Sequence, residues 1–362
     1  MKKRKKPNYK LRRNVAKVVI ALLIILPIIL INKTKIMHAP VYLENMKYSK
    51  IIDAFFNVNY DKDETRAIIE KLKKEKKIDK LDEDYIVALA NKGYNHNTIN
   101  FVILNMNKTE ITKMLSKKYD QDFEEYITLD LFNYSKYSRY IKFQKNNPTL
   151  SLDDVVTRVE LNLDKDPYED ATEEKNPNSN TALVNKHRYI SKDYKPTDLV
   201  NMEDDYANNT YGIKEVRKET YEHFKQMVDD AKKEDITFYA ESAYRDYDYQ
   251  DDLYDEFVNE YGQDEADTFA ARAGFSEHQL GTTLDLANVW TIEEEDPEYK
   301  WIDKNGYKYG FIFRYKKKTE DITGYEAEGW HIRYVGVEAA TIIHKKSITF
   351  DEYWIKYVKN KK

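Results

Sequence analysis

The feature that most constrains the fold is a change in hydrophobic pattern after residue 180. From there on, short apolar runs typical of strands alternate with stretches of helical periodicity. The strand-like runs cover residues 236–240, 284–287 and 330–335, and the helical stretches cover 214–232 and 246–272. Runs of both kinds within one segment predict an α+β domain over residues 181–356, with a small antiparallel sheet flanked by helices.

Two further segments precede this domain. Residues 40–163 carry apolar side chains at helical spacing, for example Ile68, Ile69 and Leu72, and predict an all-α region. Residues 164–180 are acidic and rich in proline and asparagine, which predicts a linker. Because no pattern in the helical region carries catalytic chemistry, we interpret it as a spacer or as a domain that binds a protein partner.

The N-terminus is first basic and then apolar. Residues 1–14 contain eight lysine or arginine side chains and no acidic one, and every residue of 18–31 is apolar or proline. About 20 apolar residues cross a bilayer, and a basic flank stays on the cytoplasmic side. The pattern predicts a cytoplasmic tail at 1–14 and a transmembrane helix at 15–31, in a single-pass membrane protein whose remaining chain is extracytoplasmic. A cleaved signal peptide is the alternative, although no small-residue cleavage site follows Ile31.

Charge and cysteine content exclude several functional classes. Residues 1–31 hold nine basic and no acidic side chains, so residues 32–362 hold 50 basic against 64 acidic ones. This acidic body argues against a nucleic-acid partner, whose phosphates require a basic surface. The chain has no cysteine, which excludes disulfides, thiolate metal sites and a cysteine nucleophile. A transition-metal site must therefore use histidine and carboxylate ligands.

Two of the seven histidines lie in patterns that suggest such a site. His278 and Asp285 flank Gly281, which predicts a turn with the histidine entering it and the aspartate on the strand that leaves it. His331 lies on a predicted strand and offers a third ligand, leaving a fourth position for water as in catalytic zinc sites. Glu328, three residues earlier, is then placed to act as general base. For a single histidine an ordinary packed or surface side chain is the alternative, so the prediction depends on the combination.

Residues 183–336 resemble the VanY-type D-alanyl-D-alanine carboxypeptidases and their LD-carboxypeptidase relatives, which are zinc enzymes of the bacterial cell wall. Four motifs in the same order carry the resemblance. Residues 276–285 fit S-x-H-x-x-G-x-A-x-D, and residues 328–331 fit E-x-W-H. The segment 242–250 is similar to S-G-Y-R-S-Y-x-x-Q, and the residues 183–186 and 194–200 are similar to the start of the family's domain.

The resemblance implies a role for each matching residue. His278, Asp285 and His331 match the zinc ligands. Glu328 matches the catalytic base, and Arg245 matches the arginine that polarises the scissile carbonyl and stabilises the oxyanion. A structural ion pair with a nearby carboxylate is the alternative interpretation of Arg245.

Other positions of the motifs are less diagnostic. Gln250, Ser276 and Tyr244 are predicted to lie near the substrate, with packing as the alternative for Tyr244. Thr283 replaces the family's usual alanine and is still small. Gly329 replaces the usual proline or tryptophan. Glycine gives more conformational freedom to the backbone that orients Glu328 and His331.

The resemblance implies a zinc-dependent D-alanyl-D-alanine carboxypeptidase that removes the terminal D-alanine from peptidoglycan stem peptides. An LD-carboxypeptidase acting on tetrapeptide stems shares the ligand set and is one alternative. A non-catalytic wall-binding scaffold with a structural zinc site is another. The intact Glu328 argues against the scaffold, because a structural site needs no base. The region 40–163 is a candidate for contact with a protein partner in either case.

Overall fold

The computed structural model describes residues 49–57, 62–75, 80–207, 214–287 and 296–359. The chain divides into two compact units, one ending at Tyr134 and the other beginning at Ser135. The predicted domain limits of 40–163, 164–180 and 181–356 stay a prediction, because the boundary between compact units does not test where a domain folds independently.

The described residues of the first unit are helical. Their helices are α1 (Ser49–Asn57), α2 (Lys62–Glu75), α3 (Lys80–Lys92), α4 (His96–Asn105), α5 (Lys108–Ser116) and α6 (Gln121–Tyr126). Side-chain caps start three of them: Asn95 accepts a hydrogen bond from the backbone N–H of Thr98, Asn107 accepts one from that of Glu110, and Asp120 accepts one from that of Phe123. These helices lie where the all-α region is predicted.

The second unit combines helices with short strands. Its helices are α7 (Tyr137–Asn146), α8 (Leu152–Glu160), α9 (Lys218–Lys232), α10 (Tyr247–Tyr261), α11 (Gln263–Phe269), α12 (Pro297–Asn305), α13 (Glu320–Thr323), α14 (Val337–Lys346) and α15 (Phe350–Tyr353). Its strands are β1 (Thr172–Glu173), β2 (Arg188–Tyr189), β3 (Leu199–Asn201), β4 (Glu215–Arg217), β5 (Tyr239–Ser242), β6 (Thr283–Ala287), β7 (Phe311–Tyr315) and β8 (Glu328–Tyr334).

An antiparallel sheet of four strands, in the order β5–β6–β8–β7, forms the centre of this unit. In its register Leu284 pairs with Ile332, and Asp285 pairs with His331. Successive side chains of a strand alternate between the two faces of a sheet. Leu284 and Ile332 therefore point to one face, where they join a buried core with Phe224 of α9. Asp285 and His331 point to the other face, which is left for chemistry.

Three of the observed strands correspond to the predicted ones with small shifts, whereas β7 and the short strands β1 to β4 were not predicted. The run at 284–287 extends by one residue into β6, and the run at 330–335 corresponds to β8. The run at 236–240 begins too early, because β5 starts only at Tyr239. Phe238 precedes the strand but is buried in the core. This position is therefore apolar because it packs in the core, and not because it pairs in a strand.

The membrane part of the predicted fold class is corrected by the structure. Crossing a bilayer takes about 20 apolar residues in a helix, whereas the longest helices of the described residues, α9 and α10, have 15 residues each. No helix in the described ranges is both long and apolar enough to span a membrane. This finding overturns the predicted transmembrane helix and the predicted single-pass localisation. Residues 1–31, which carried both predictions, lie outside the described residues.

Candidate active site

A short turn places the first predicted ligand. Residues Glu277–Leu280 form one turn of 3₁₀-helix, capped by the Ser276 hydroxyl, which accepts a hydrogen bond from the His278 backbone N–H at 3.3 Å. Gly281 ends the turn with φ +69°, a left-handed conformation that glycine adopts readily. The chain then enters β6, so His278 and Asp285 lie on the two sides of the turn, as predicted.

The three predicted ligands converge. The ligand atoms of His278, Asp285 and His331 all lie within 4.8 Å of one another. His278 Nε2 lies 3.3 Å from Asp285 Oδ2, and His331 Nδ1 lies 3.5 Å from Asp285 Oδ1. Donors placed about 2.0–2.1 Å from a tetrahedral zinc ion are about 3.3 Å apart. The distances from the two histidines to Asp285 therefore fit a zinc ion held between these side chains.

The hydrogen bonding around His278 and Asp285 leaves atoms available for a metal. His278 Nδ1 lies 2.6 Å from the carbonyl oxygen of Ala243, so the ring proton belongs on Nδ1 and Nε2 carries the lone pair. His278 Nε2 and Asp285 Oδ1 are buried and have no hydrogen-bond partner among the described residues. Burial and the charge of Arg245 lower the pKa of His278 to about 4. The ring is therefore neutral at pH 7, the form that binds a metal.

The charges at the site attract a cation. For Asp285, burial alone would raise the pKa, but His278 and Arg245 outweigh it and hold the pKa well below its usual range. For His331, burial would lower the pKa, but the carboxylates of Glu277 and Glu328 outweigh it and raise the pKa to about 9. The neighbouring carboxylates thus favour the protonated form of His331, so a metal ion that binds its Nδ1 would displace a proton. Two imidazoles with one carboxylate are a ligand set that zinc uses.

Glu328 lies beside the triad at the start of β8. Its Oε2 lies 3.0 Å from His331 Nδ1, and its side chain is 10% exposed. Burial raises the pKa of the Glu328 carboxyl, although the neighbouring His331 opposes the rise. A raised pKa brings this carboxyl closer to the range in which it can take up and return a proton near neutral pH.

Arg245 contacts the predicted ligand Asp285. Its Nη2 donates a hydrogen bond to Asp285 Oδ2 at 3.0 Å. The structural ion pair, the alternative interpretation of this arginine, is therefore present. Its Nε is buried and has no hydrogen-bond partner in the described part of the chain, and its side chain lines the cavity in front of the triad. Contact of the guanidinium with a substrate stays a prediction.

A cavity of about 650 Å³ opens in front of the triad. Gln250 and Ser276, predicted to lie near the substrate, both line it. Gln250 Nε2 donates to the carbonyl oxygen of Ala271 at 2.8 Å, so this side chain also holds the wall in place. Tyr244 is not among the described residues that line the cavity. Its ring is buried, with Lys195 Nζ 5.5 Å from its centre, which agrees with packing.

Two residues at the site have no role in the sequence predictions. The ring of Tyr315 packs edge-on against His331 with 4.9 Å between centroids. The carboxylate of Glu277 is fully buried, and its Oε2 lies 3.9 Å from His331 Nε2. The position of Glu277 directly before His278 is a signal that the sequence does contain. Tyr315 offers no such signal, because its place depends on the order of strands in the sheet.

Part of the chain is similar to known proteins. Residues 213–337 match the family model "VanY: D-alanyl-D-alanine carboxypeptidase". The "Putative carboxypeptidase YodJ" of Bacillus subtilis is 40% identical over 191 residues, which are 51% of this chain and 70% of that protein. The D-alanyl-D-alanine carboxypeptidase of Enterococcus faecium is 38% identical over 197 residues, which are 53% of this chain and 62% of that protein.

Solved structures are similar over the same part of the chain. The LdcB LD-carboxypeptidase is 38% identical with a TM-score of 0.49, over 52% of this chain and 91% of that chain. A vancomycin-resistance D,D-pentapeptidase VanY in complex with Zn(II) is 31% identical with a TM-score of 0.42, over 48% of this chain and 98% of that chain. The family predicted from the sequence is confirmed by the sequence relatives and the family model. The chain belongs to the VanY family of D-alanyl-D-alanine carboxypeptidases.

Proposed function

We propose that this protein is a zinc-dependent D-alanyl-D-alanine carboxypeptidase that removes the terminal D-alanine from peptidoglycan stem peptides. The observation that carries the proposal is the convergence of His278, Asp285 and His331 beside a buried Glu328 at the cavity. A purely structural zinc site is closed by four protein ligands, whereas a catalytic site has three and a general base nearby. The arrangement supports a hydrolase.

The three ligand residues would hold zinc through His278 Nε2, His331 Nδ1 and the carboxylate of Asp285. When bound, zinc makes a water molecule acidic enough to lose a proton near neutral pH and polarises a carbonyl oxygen. Glu328 accepts the proton as the water oxygen bonds to the terminal peptide carbonyl carbon. Glu328 then donates this proton to the nitrogen of the departing D-alanine as the C–N bond breaks.

Arg245 supplies fixed positive charge on the same side of the cavity. Its guanidinium, oriented by Asp285, can donate to the oxygen that becomes negative during attack. Because this donor is already held in place, little reorganisation is needed at the moment of reaction. We propose that Gln250 and Ser276 position the peptide along the wall. The apolar side chains of Leu253, Phe257 and Phe269 line the same cavity and suit the methyl groups of terminal alanines.

The activity is tested by incubating the purified protein with a pentapeptide stem and, separately, with a tetrapeptide stem. Mass spectrometry would then follow the loss of one alanine. We expect loss from the pentapeptide, abolition by a chelator and recovery on adding zinc. Loss from the tetrapeptide alone would replace the first proposal by LD-carboxypeptidase activity, and cleavage of neither would favour the wall-binding scaffold.

Glu328→Gln is the variant that tests the base. It keeps the shape of the side chain but cannot accept a proton, so we expect kcat to fall by roughly 10²–10⁴-fold, the usual contribution of a general base. The matched control is Glu338→Gln on an exposed position of α14, which should retain full activity. Undiminished hydrolysis by Glu328→Gln would reject Glu328 as the base.

The predicted all-α region can be assayed separately from the chemistry by a pull-down with residues 40–163, which include α7 and α8 of the second unit. The predicted protein partner stays a prediction, and recovery of the same partner by the full chain and by this segment would support it. Recovery only by the full chain would assign the contact to the catalytic part.

A further inference from the structure

The most unusual buried group outside the predicted catalytic set is the carboxylate of Glu277. Its side chain is 0% exposed and follows Ser276 in the turn that carries His278. A buried charge is expensive unless other groups compensate it. The contacts of its two oxygens show which groups compensate the negative charge of Glu277 and which group the carboxylate faces.

The two oxygens of Glu277 face different groups. Oε1 accepts a hydrogen bond from Arg314 Nε at 2.9 Å and lies 3.1 Å from Arg333 Nη1. Oε2 faces His331 Nε2 at 3.9 Å. Glu277 Oε2 and His331 Nε2 are both buried and lack a hydrogen-bond partner within the described ranges. One oxygen is thus anchored by arginines, and the other is directed at the imidazole of a proposed metal ligand.

The arginines are themselves held rigidly. Arg333 donates through Nη2 to the carbonyl oxygens of Asn180 and Ala182, at 3.1 and 3.0 Å. Arg314 Nη1 forms an ion pair with Asp351 Oδ2 at 2.7 Å. The negative charges of two carboxylates and the positive charges of two guanidinium groups therefore compensate one another in a fully buried cluster. Glu277 has no freedom to turn away from His331 without breaking this set.

The orientation of His331 completes the geometry. Its Nδ1 faces Asp285 and Glu328, at 3.5 and 3.0 Å, and its Nε2 faces the opposite side of the ring. A histidine that binds a metal through one nitrogen commonly donates the proton of its other nitrogen to a carboxylate, which fixes the ring and makes it a better donor. Glu277 lies where such a carboxylate is needed.

We infer that Glu277 is a positioning residue for the metal site: its carboxylate, kept in place by Arg314 and Arg333, attracts the Nε2 proton of His331, and the 3.9 Å between these atoms shortens to a hydrogen bond when Nδ1 binds the metal. This inference rests on the proposed metal site and deepens it. Glu277 contributes no atom to the metal or to the substrate. It aims Nδ1 of His331 at the metal and increases the basicity of the ring.

The first test measures zinc affinity by competition with a coloured chelator, on the full chain. Glu277→Gln should weaken zinc binding by roughly 10–100-fold, the usual effect of losing such a carboxylate partner. Asp351→Asn is the matched control, because it removes a buried charge from the same cluster without touching His331. Thermal unfolding of both variants separates lost stability from lost affinity. Equal zinc affinities for the two variants would reduce Glu277 to a structural residue and overturn the inference.

A second measurement needs no variant. In the wild-type protein loaded with ¹¹³Cd, long-range ¹⁵N spectra of the histidines should show His331 coupled to the metal through Nδ1 and protonated at Nε2. Coordination through Nε2 would overturn the inference even if Glu277→Gln does not fold. Failure of the wild-type protein to bind zinc or cadmium would instead reject the proposed function, so the two failures are distinguishable.

Discussion

At the scale of single residues, the turn between the first two ligands depends on Gly281. Its φ of +69° lies in the left-handed region, and a Cβ there would lie 3.0 Å from Arg217 Cγ and 3.0 Å from Leu199 Cδ2. A side chain would therefore strain the backbone and also push aside the side chains of Arg217 and Leu199. Glycine at this position allows the turn that sets the distance between His278 and Asp285.

We predict that Gly281→Ala lowers the free energy of unfolding by about 1–3 kcal/mol, the typical range for a residue forced into such a conformation. Zinc affinity should fall together with stability, because the turn sets the distance between the ligands. Urea unfolding and chelator competition would measure the two effects. Gly336→Ala is the control, since its φ is +83° but no atom lies within 4 Å of the added Cβ. A larger stability loss for Gly336→Ala would contradict the role of crowding at Gly281.

Arg245 allows a second prediction at this scale. Its ion pair with Asp285 would affect the metal ligand, whereas its proposed contact with the oxyanion would affect kcat directly. If the guanidinium stabilises the oxyanion, Arg245→Ala should lower kcat by roughly 10²–10³-fold even when zinc is saturating. Steady-state kinetics at saturating zinc would measure this. A variant that regains full kcat once zinc is saturating would show that Arg245 serves only the metal ligand.

At the scale of elements, the sequence predicts which segments are strands better than it predicts how they pair. The runs at 284–287 and 330–335 are apolar enough to indicate β6 and β8. Their antiparallel pairing, which sets Asp285 opposite His331, joins residues far apart in the chain and leaves no local signal. The ligands were predictable through the motifs, whereas the cluster around Glu277 was not, because Arg314 and Arg333 reach it only through the order of the strands.

Helices α7 and α8 meet at a buried carboxylate that gives a prediction for pH. Glu160 accepts a hydrogen bond from the Tyr140 hydroxyl at 2.7 Å and lies 2.9 Å from Lys136 Nζ and 3.2 Å from Lys359 Nζ. Burial would raise the pKa of Glu160, but Lys136 and Tyr140 outweigh it and hold the pKa below its usual value. A depressed pKa in the folded state stabilises the fold above the unfolded pKa, and this stabilisation is lost as pH falls through the folded pKa.

We therefore predict that Glu160→Gln lowers the free energy of unfolding by about 1.5–3 kcal/mol at pH 7, the range for hydrogen bonds to charged groups. The difference in free energy of unfolding between this variant and the wild-type protein should shrink as pH falls below about 4.5, where the carboxyl of the unfolded chain is protonated. Urea unfolding across this pH range would measure it. Glu169→Gln, at an exposed position, is the control and should show no such trend. A difference that grows toward low pH would contradict a depressed pKa for Glu160.

At the scale of the whole molecule, the proposed metal site lies within the unit that begins at Ser135. A ligand that binds only the folded state stabilises it by mass action, by about 4 kcal/mol when its free concentration is about 1,000 times Kd. Zinc should therefore stabilise this unit directly. The α+β class of this unit was predictable from alternating apolar runs and helical stretches, but the membrane helix predicted ahead of it was wrong.

We predict that adding zinc to the metal-free protein slows amide hydrogen exchange in β6 and β8 and leaves α3 to α6 of the first unit unchanged. Hydrogen exchange followed by mass spectrometry resolves the two units in one experiment. The control is magnesium, which prefers oxygen ligands and should protect neither unit. Equal protection of α3 to α6 by zinc would show that the two units unfold as one.

The two faces of the central sheet have a consequence for how this protein tolerates sequence change. In β6 and β8 the residues of the hydrophobic core and those of the metal triad are immediate neighbours, Leu284 beside Asp285 and Ile332 beside His331. Variants at Leu284 and Ile332 would reduce the amount of folded enzyme, whereas variants at Asp285 and His331 would leave folded protein that is inactive. A library covering these four positions should therefore alternate between lost abundance and lost turnover.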